Sequence, residues 1–340
     1  MKASIRRGNF DAHRMVRKLR SQQDVGYPPA SVSEGGQYLF MTQADSKVIA
    51  VPTSIPPMER RALVAALITV TLWASAFIGI RSAGEQLSPG ALSLGRLLIG
   101  SLLLGALALR RWEALPSRSD LVRIGVCGLL WFGIYNVALN AAEQRVDAGT
   151  AAMLVNVGPV FIAVLAGSML REGFPRGLLI GCAVAMAGVG LIGFGTSSEG
   201  LSAGWGAVLC IAAALAYAGG VVAQKPVLSR VSALQLTWLA CMAGTLACLP
   251  FAPLMVRELA AADTSAIAWT VYLGAFPTAV AFTTWAYALA RTSAGRMGST
   301  TYLVPPLAIL MGWAVLGESP ALVALLGGAL CLGGVALARR

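Results

Sequence analysis

A small set of polar and titratable residues lies within sequence that is otherwise almost wholly apolar. Asn136, Asn140 and Glu143 follow at spacings of four and three, which places them on one face of a helix. Asn156 stands alone in a second apolar run. Tyr217 and Gln224 mark one face of a third. Arg96 is the only charge well inside any such run. Amides, a phenol and a guanidinium recognise a solute by hydrogen bonding and charge, and buried amides in lipid must find partners. Two readings stay open for Asn136, Asn140 and Asn156: they line a polar cavity, or they hold helix to helix, worth about 0.6 kcal/mol each. Trp73, Phe77, Trp285, Tyr287 and Tyr302 are the aromatic side chains available for walls. Covalent chemistry has little to work with. The single histidine, His13, lies in the N-terminal tail, which leaves no Ser–His pair or HExxH zinc site in the apolar body. Cys127, Cys182, Cys210, Cys241, Cys248 and Cys331 all fall in apolar runs without metal-ligand spacing, so no metal site, cofactor or disulfide framework is expected. Gly188 to Gly193 matches GxGxxG, yet no strand precedes it and the surrounding residues are apolar.

The elements that must position these residues are membrane spans. With 57% hydrophobic and 12% charged residues, the chain has too little polar surface to coat a 340-residue globule. A spanning helix needs about 20 mostly apolar residues. Ten runs qualify: 62 to 81, 89 to 109, 121 to 142, 148 to 170, 176 to 195, 203 to 224, 234 to 256, 265 to 290, 296 to 316 and 320 to 338. They lack the period-2 alternation of a membrane barrel. Residues 1 to 61 are basic and polar and cannot bury a core, so a mostly disordered cytoplasmic tail is expected there, with its first 23 residues able to form a basic interfacial helix. Met58-Glu59-Arg60-Arg61 would itself make an ordinary start just before the first span.

Residues 148 to 192 and 294 to 338 repeat one pattern 146 positions apart, with Pro159 on Pro305, Glu172 on Glu318 and Gly181 on Gly327. The correspondence extends upstream, where Trp73 falls on Tyr217, Arg81 on Lys225 and Gly128 on Gly274. Two units result, 62 to 195 and 203 to 338, each of five spans. An odd number of spans inverts the second unit, so an all-α polytopic fold is expected: ten transmembrane helices as two inverted five-helix repeats. Placing the N-terminus in the cytoplasm puts twelve Lys/Arg on inner connections and three (Arg81, Arg145, Arg257) on outer ones. Both termini are then cytoplasmic. The net charge of +11 becomes a topology signal with anionic lipid headgroups as its partner, and nucleic acid is not needed to explain it.

Pro159, Pro305 and Pro306 lie mid-span, where each withdraws one backbone donor and frees the carbonyl four residues earlier. Two consequences are open: a broken helix presenting carbonyls to a ligand, or a kink absorbed by packing. Arg96 either meets an anionic solute group or serves structure, and its depth favours structure. Glu172 and Glu318 fit helix ends and turns.

Trp73-Ala74-Ser75, Arg96, Pro159-Val160-Phe161 followed by Glu172 and the Gly181/Gly188 series, and the second proline-to-glutamate spacing from Pro305 to Glu318 together resemble the EamA-type branch of the drug/metabolite transporter superfamily. The likeness covers about 62 to 338. It implies ten helices, two inverted repeats, cytoplasmic termini in a bacterial inner membrane, and export of amino acids or other small metabolites. The expectation is therefore a secondary transporter for a small solute, with Asn136, Asn140, Asn156, Tyr217, Tyr302, Trp73, Trp285 and Tyr287 as substrate-binding residues. A membrane-embedded enzyme or receptor is the alternative. No acid lies deep in a span, so facilitated movement is expected, with Glu143 the one residue available for proton coupling.

Overall fold

The computed structural model of the protein describes residues 60–111, 113–169, 180–181, 183–184, 186–188, 190–192, 201–291, 297, 300–318 and 320–337. The N-terminal tail and Glu172 lie outside these residues. Every regular element among them is helical. Six stretches are long and apolar enough to cross a bilayer: Arg60–Ala83, Pro89–Arg111, Arg118–Glu143, Ser202–Ser229, Ala233–Ala261 and Thr264–Leu289. Ala148–Ile162, Val304–Leu316 and Leu325–Gly334 are shorter apolar helices. Their outer surfaces are apolar too: Leu102, Val122, Leu246 and Trp313 are exposed to between 61% and 71%, which suits lipid and would be costly in water.

In chain order the helices are α1 (Arg60–Ala83), α2 (Pro89–Arg111), α3 (Arg118–Cys127), α4 (Tyr135–Glu143), α5 (Ala148–Val155) and α6 (Gly158–Met169), then α7 (Leu201–Gln224), α8 (Ala233–Cys248), α9 (Ala252–Ala261), α10 (Thr264–Leu273), α11 (Ala281–Leu289), α12 (Val304–Leu316) and α13 (Leu322–Leu337). Side-chain caps set several starts. The Ser117 hydroxyl accepts from Asp120 N–H ahead of α3, and the Asp263 carboxylate accepts from Ala266 N–H ahead of α10, at corresponding positions of the repeat. Asp147 caps α5 and Ser232 caps α8 in the same way.

The cap at Asp263 is pH-sensitive. Its carboxyl is held below the ordinary carboxylate value, first by the Ala266 N–H and then by the Gln86 amide. A depressed value contributes stability that is present above the unfolded carboxylate value of about 3.9 and is lost as pH falls through the folded one. Acidification below about pH 4 should therefore lower the wild-type melting temperature more steeply than that of Asp263→Asn, which a pH series of thermal unfolding in detergent would measure.

Two π-helical turns interrupt the long helices. Gly128–Ile134 joins α3 to α4, and Gly274–Val280 joins α10 to α11. They occupy matching places in the two repeats. The second holds Pro277, whose missing N–H the wider turn tolerates.

Helix contacts are reciprocal between the repeats. The first π turn packs on α8 while the second packs on α2, and α4 lies against α7 as α11 lies against α1. Likewise α6 packs on α7 and α12 on α1, while α2 and α8 pack on each other. This exchange of equivalent contacts is what a two-fold relation between the halves produces. The closest approaches repeat as well. A Cβ built on Gly274 would lie 2.6 Å from Ile99 Cβ and 2.7 Å from the Arg96 carbonyl; one on Gly128 would lie 2.6 Å from Ala243 Cβ and closer still to the Ala240 carbonyl. Backbone on backbone leaves nothing flexible to yield. Gly274→Val should cost about 1–3 kcal/mol or more through overpacking, seen as a lower melting temperature in detergent, with Gly128→Val matching it.

The run from 148 to 170 is not one bent span. It is broken at Asn156–Val157, between α5 and α6, and Pro159 sits as the second residue of α6. In the corresponding place Thr301–Leu303 forms a 3-10 turn, and Pro305 and Pro306 occupy the first turn of α12. Proline is accepted there because the first helical turn needs no N–H from it.

Candidate functional site

A cavity opens beside the break in the fourth apolar run. It is lined by Trp73, Ala76, Phe77 and Ile80 of α1, Arg96 of α2, Trp131 of the first π turn, and Tyr135 and Leu139 of α4. Ala152, Val155 and Asn156 at the end of α5, Tyr217 of α7, Phe282 of α11, and Thr301 and Val304 complete it. Both repeats contribute. The void is about 60 Å³, several times the space one water needs.

Aromatic rings build one side. Trp131 lies 4.9 Å from Phe282 and 5.0 Å from Tyr217 between ring centroids, Trp73 lies 5.4 Å from Phe282 and 5.0 Å from Trp285, and Tyr135 lies 6.3 Å from Tyr217. These tilted and edge-on contacts are the favoured aromatic geometries and fix the rings as a rigid wall. The polar content is small. Arg96 is 3% exposed, and its Nε donates to Thr278 Oγ1 at 3.2 Å, while Thr278 in turn donates to the Leu273 carbonyl inside the second π turn. Asn156 is buried, and its Nδ2 has no hydrogen-bond partner.

Of the residues singled out from sequence, Trp73, Asn156 and Tyr217 line the cavity. Asn136 and Asn140 do not. Asn136 Nδ2 turns back to the Phe132 carbonyl at 2.7 Å, and Asn140 Nδ2 donates to Ser93 Oγ at 2.9 Å, tying α4 to α2. Trp285 is buried behind Trp73, and Tyr287 sits under the Arg291 guanidinium at 3.6 Å, away from the void. Tyr302 belongs to the 3-10 turn, and its side chain lies outside the described residues. Glu143 is 1% exposed with neither carboxylate oxygen hydrogen-bonded, one turn beyond Leu139 along the cavity-facing row of α4. Arg96, Trp131, Tyr135 and Phe282 are the lining residues that sequence reasoning passed over or assigned to structure. The available signal was the spacing of four from Tyr135 to Leu139, parallel to and one residue ahead of the Asn136–Asn140 pair that polarity favoured.

Beyond Leu139, at the Glu143 end of α4, lies a polar latch. Arg81 Nε donates to Glu318 Oε1 at 2.7 Å, and its Nη1 donates to the Glu143 carbonyl at the end of α4. Glu318 Oε2 accepts from Ala148 N–H at 3.2 Å, at the start of α5. One ion pair thus gathers α1, α4, α5 and α12. Gly317 makes this possible: with φ of 68° it takes the left-handed conformation that ends α12 and turns Glu318 back toward Arg81.

A cavity shared by two reciprocally packed repeats, beside a broken helix and inside an apolar bundle, is the construction of a membrane transporter. Comparison with known proteins agrees. The EamA-like transporter family matches residues 60–194 and again 204–340. The chain is 39% identical over 281 residues to the "Probable terminal-alkyne amino-acid exporter" of Streptantibioticus cattleyicolor, covering 82% of this chain and 94% of that one. It is 33% identical to the "Uncharacterized transporter YdfC" of Bacillus subtilis, over 78% of this chain and 87% of that protein. A crystal structure shares the fold with a TM-score of 0.59 at 20% identity, covering 83% of this chain and 99% of the other. The protein belongs to the EamA-like transporter family.

Proposed function

We propose that this protein is a secondary transporter that exports a small metabolite of the amino-acid class across a bacterial inner membrane by alternating access. Ten transmembrane helices form two inverted five-helix halves, with both termini cytoplasmic. The observation that carries the reading is a cavity lined by α1, α2, α4 and α5 from one repeat and α7 and α11 from the other. Reciprocal contacts allow the halves to exchange roles, so that the cavity closed at one end can open there as the other end closes. The excess of basic residues on the inner connections supports an outer-face position for the Arg81–Glu318 latch. Solute moves down its own gradient in this reading. The name of the Streptantibioticus relative supports export and an amino-acid solute.

Purified protein in liposomes, preloaded with unlabelled amino acids, should accumulate the labelled amino acid by counterflow. An enzyme or receptor without transport activity predicts no exchange above protein-free liposomes, and that result would remove the proposal. Orientation has its own check. Cysteine at Ser119 should react with an impermeant thiol reagent only from the cytoplasm, and cysteine at Glu85 only from outside; both positions are exposed. Reaction of the two from one face would overturn the inverted arrangement.

A further inference from the structure

We infer that the cavity recognises its solute by a carboxylate, held between the guanidinium of Arg96 and the side-chain amide of Asn156, with an apolar side chain against Trp73, Trp131 and Phe282. The inference rests on the transport reading and names the chemical class of its solute. Arg96 is a buried cation that Glu143 lies close enough to attract, yet the two make no hydrogen bond or contact ion pair. A buried cation inside an apolar bundle is costly unless it meets an anion. Among the described residues Arg96 forms no ion pair; it donates through Nε to the neutral hydroxyl of Thr278. The two terminal nitrogens remain, a planar fork whose geometry matches a carboxylate. Arg96 lines the void, so an anion entering it can reach that fork.

Asn156 adds the second observation. It is 7% exposed, lines the same void, and its Nδ2 donor is unpartnered. Buried donors without acceptors are rare, and one facing a binding cavity is accounted for by a ligand. No carboxylate side chain lines the void. Its donors outweigh its acceptors, and its charge is positive. The aromatic wall offers contact area to an apolar chain, and its ring faces accept an ammonium while offering nothing to a second anion. Monocarboxylates with short uncharged side chains meet these terms; dicarboxylates and amides do not.

The test uses the full-length protein with three probes: L-norvaline, L-norvalinamide and pentanoate. Binding in detergent is followed by tryptophan fluorescence, and counterflow is measured in liposomes. L-Norvaline and pentanoate should bind at least tenfold more tightly than the amide, and counterflow should follow the same order. Arg96→Gln should remove that discrimination, lowering acid affinity tenfold or more with amide affinity unchanged. Should Arg96→Gln fail to fold, Asn156→Asp serves instead: a new negative charge beside the carboxylate should reverse the preference toward the amide. Equal binding of acid and amide by the wild type, no binding of any probe, or a preference unmoved by both variants would overturn the inference. If acid-selective binding is found with no counterflow, the carboxylate site stands and the transport reading falls. If the amide is transported as fast as the acid, transport stands and the carboxylate site falls.

Discussion

Replacing Glu318 by Gln should open the cavity at the latch end. The pair joins Arg81 to Glu318 at 2.7 Å, with side chains 34% and 21% exposed, and the same carboxylate caps α5 through Ala148 N–H. Gln keeps one acceptor oxygen, so the charge pair is lost and at most one of the two hydrogen bonds remains. Partial exposure discounts the 3–5 kcal/mol of a fully buried pair to about 1–3 kcal/mol. That corresponds to a shift of roughly 5- to 150-fold in the balance of closed and open forms. Cysteine introduced at Leu139, which lines the cavity, should then react with an impermeant thiol reagent added outside by about that factor faster than in the wild-type background. The five described native cysteines are buried and contribute little. Arg81→Glu combined with Glu318→Arg should restore the slow rate, and a charge-swapped pair as reactive as the single variant would refute the latch.

The second large effect concerns Glu143. A carboxylate that is 1% exposed with no hydrogen bond to either oxygen is costly, and the Arg81 and Arg96 guanidiniums nearby offset part of that cost. Replacing it by Gln removes the burial cost and that attraction together, so the melting temperature in detergent should move by less than the equivalent of the about 3–5 kcal/mol of a broken buried pair. Transport should be little changed, because facilitated movement needs no titratable group. An imposed pH gradient should therefore drive no accumulation in liposomes bearing wild-type protein. Concentrative flux in the wild type that disappears in Glu143→Gln would instead make this residue the proton carrier, and flux that survives in Glu143→Gln would place coupling elsewhere.

The helical class, the repeat and the break near Pro159 were legible in sequence because they rest on composition and spacing, which survive without coordinates. The orientation of α4 was not. Polarity pointed to Asn136 and Asn140, yet these serve the Phe132 carbonyl and Ser93, while Tyr135 and Leu139 face the void. A π turn lies just ahead of α4 and adds a residue to the helical register. Nothing in the string Gly128-Leu129-Leu130-Trp131 announces that turn, so the rotation of all that follows is invisible to a count of 3.6. The depth of Arg96 suggested a structural partner, and the arrangement in space supplies one, the neutral hydroxyl of Thr278, while also placing Arg96 on the cavity wall. The Arg81–Glu318 pair spans 237 positions, a separation that no local pattern encodes.

The two π-helical turns also carry a record of descent. Each holds one residue more per turn than an α-helix would, so each marks a single-residue insertion. They are of equal length and begin 146 positions apart, though GLLWFGI and GAFPTAV share only their first glycine. An insertion made once in an ancestral five-helix chain, and copied when its gene doubled, accounts for both; the sequences then drifted while the geometry was kept. On that genealogy the extra residue is older than the doubling that gave this protein its two halves.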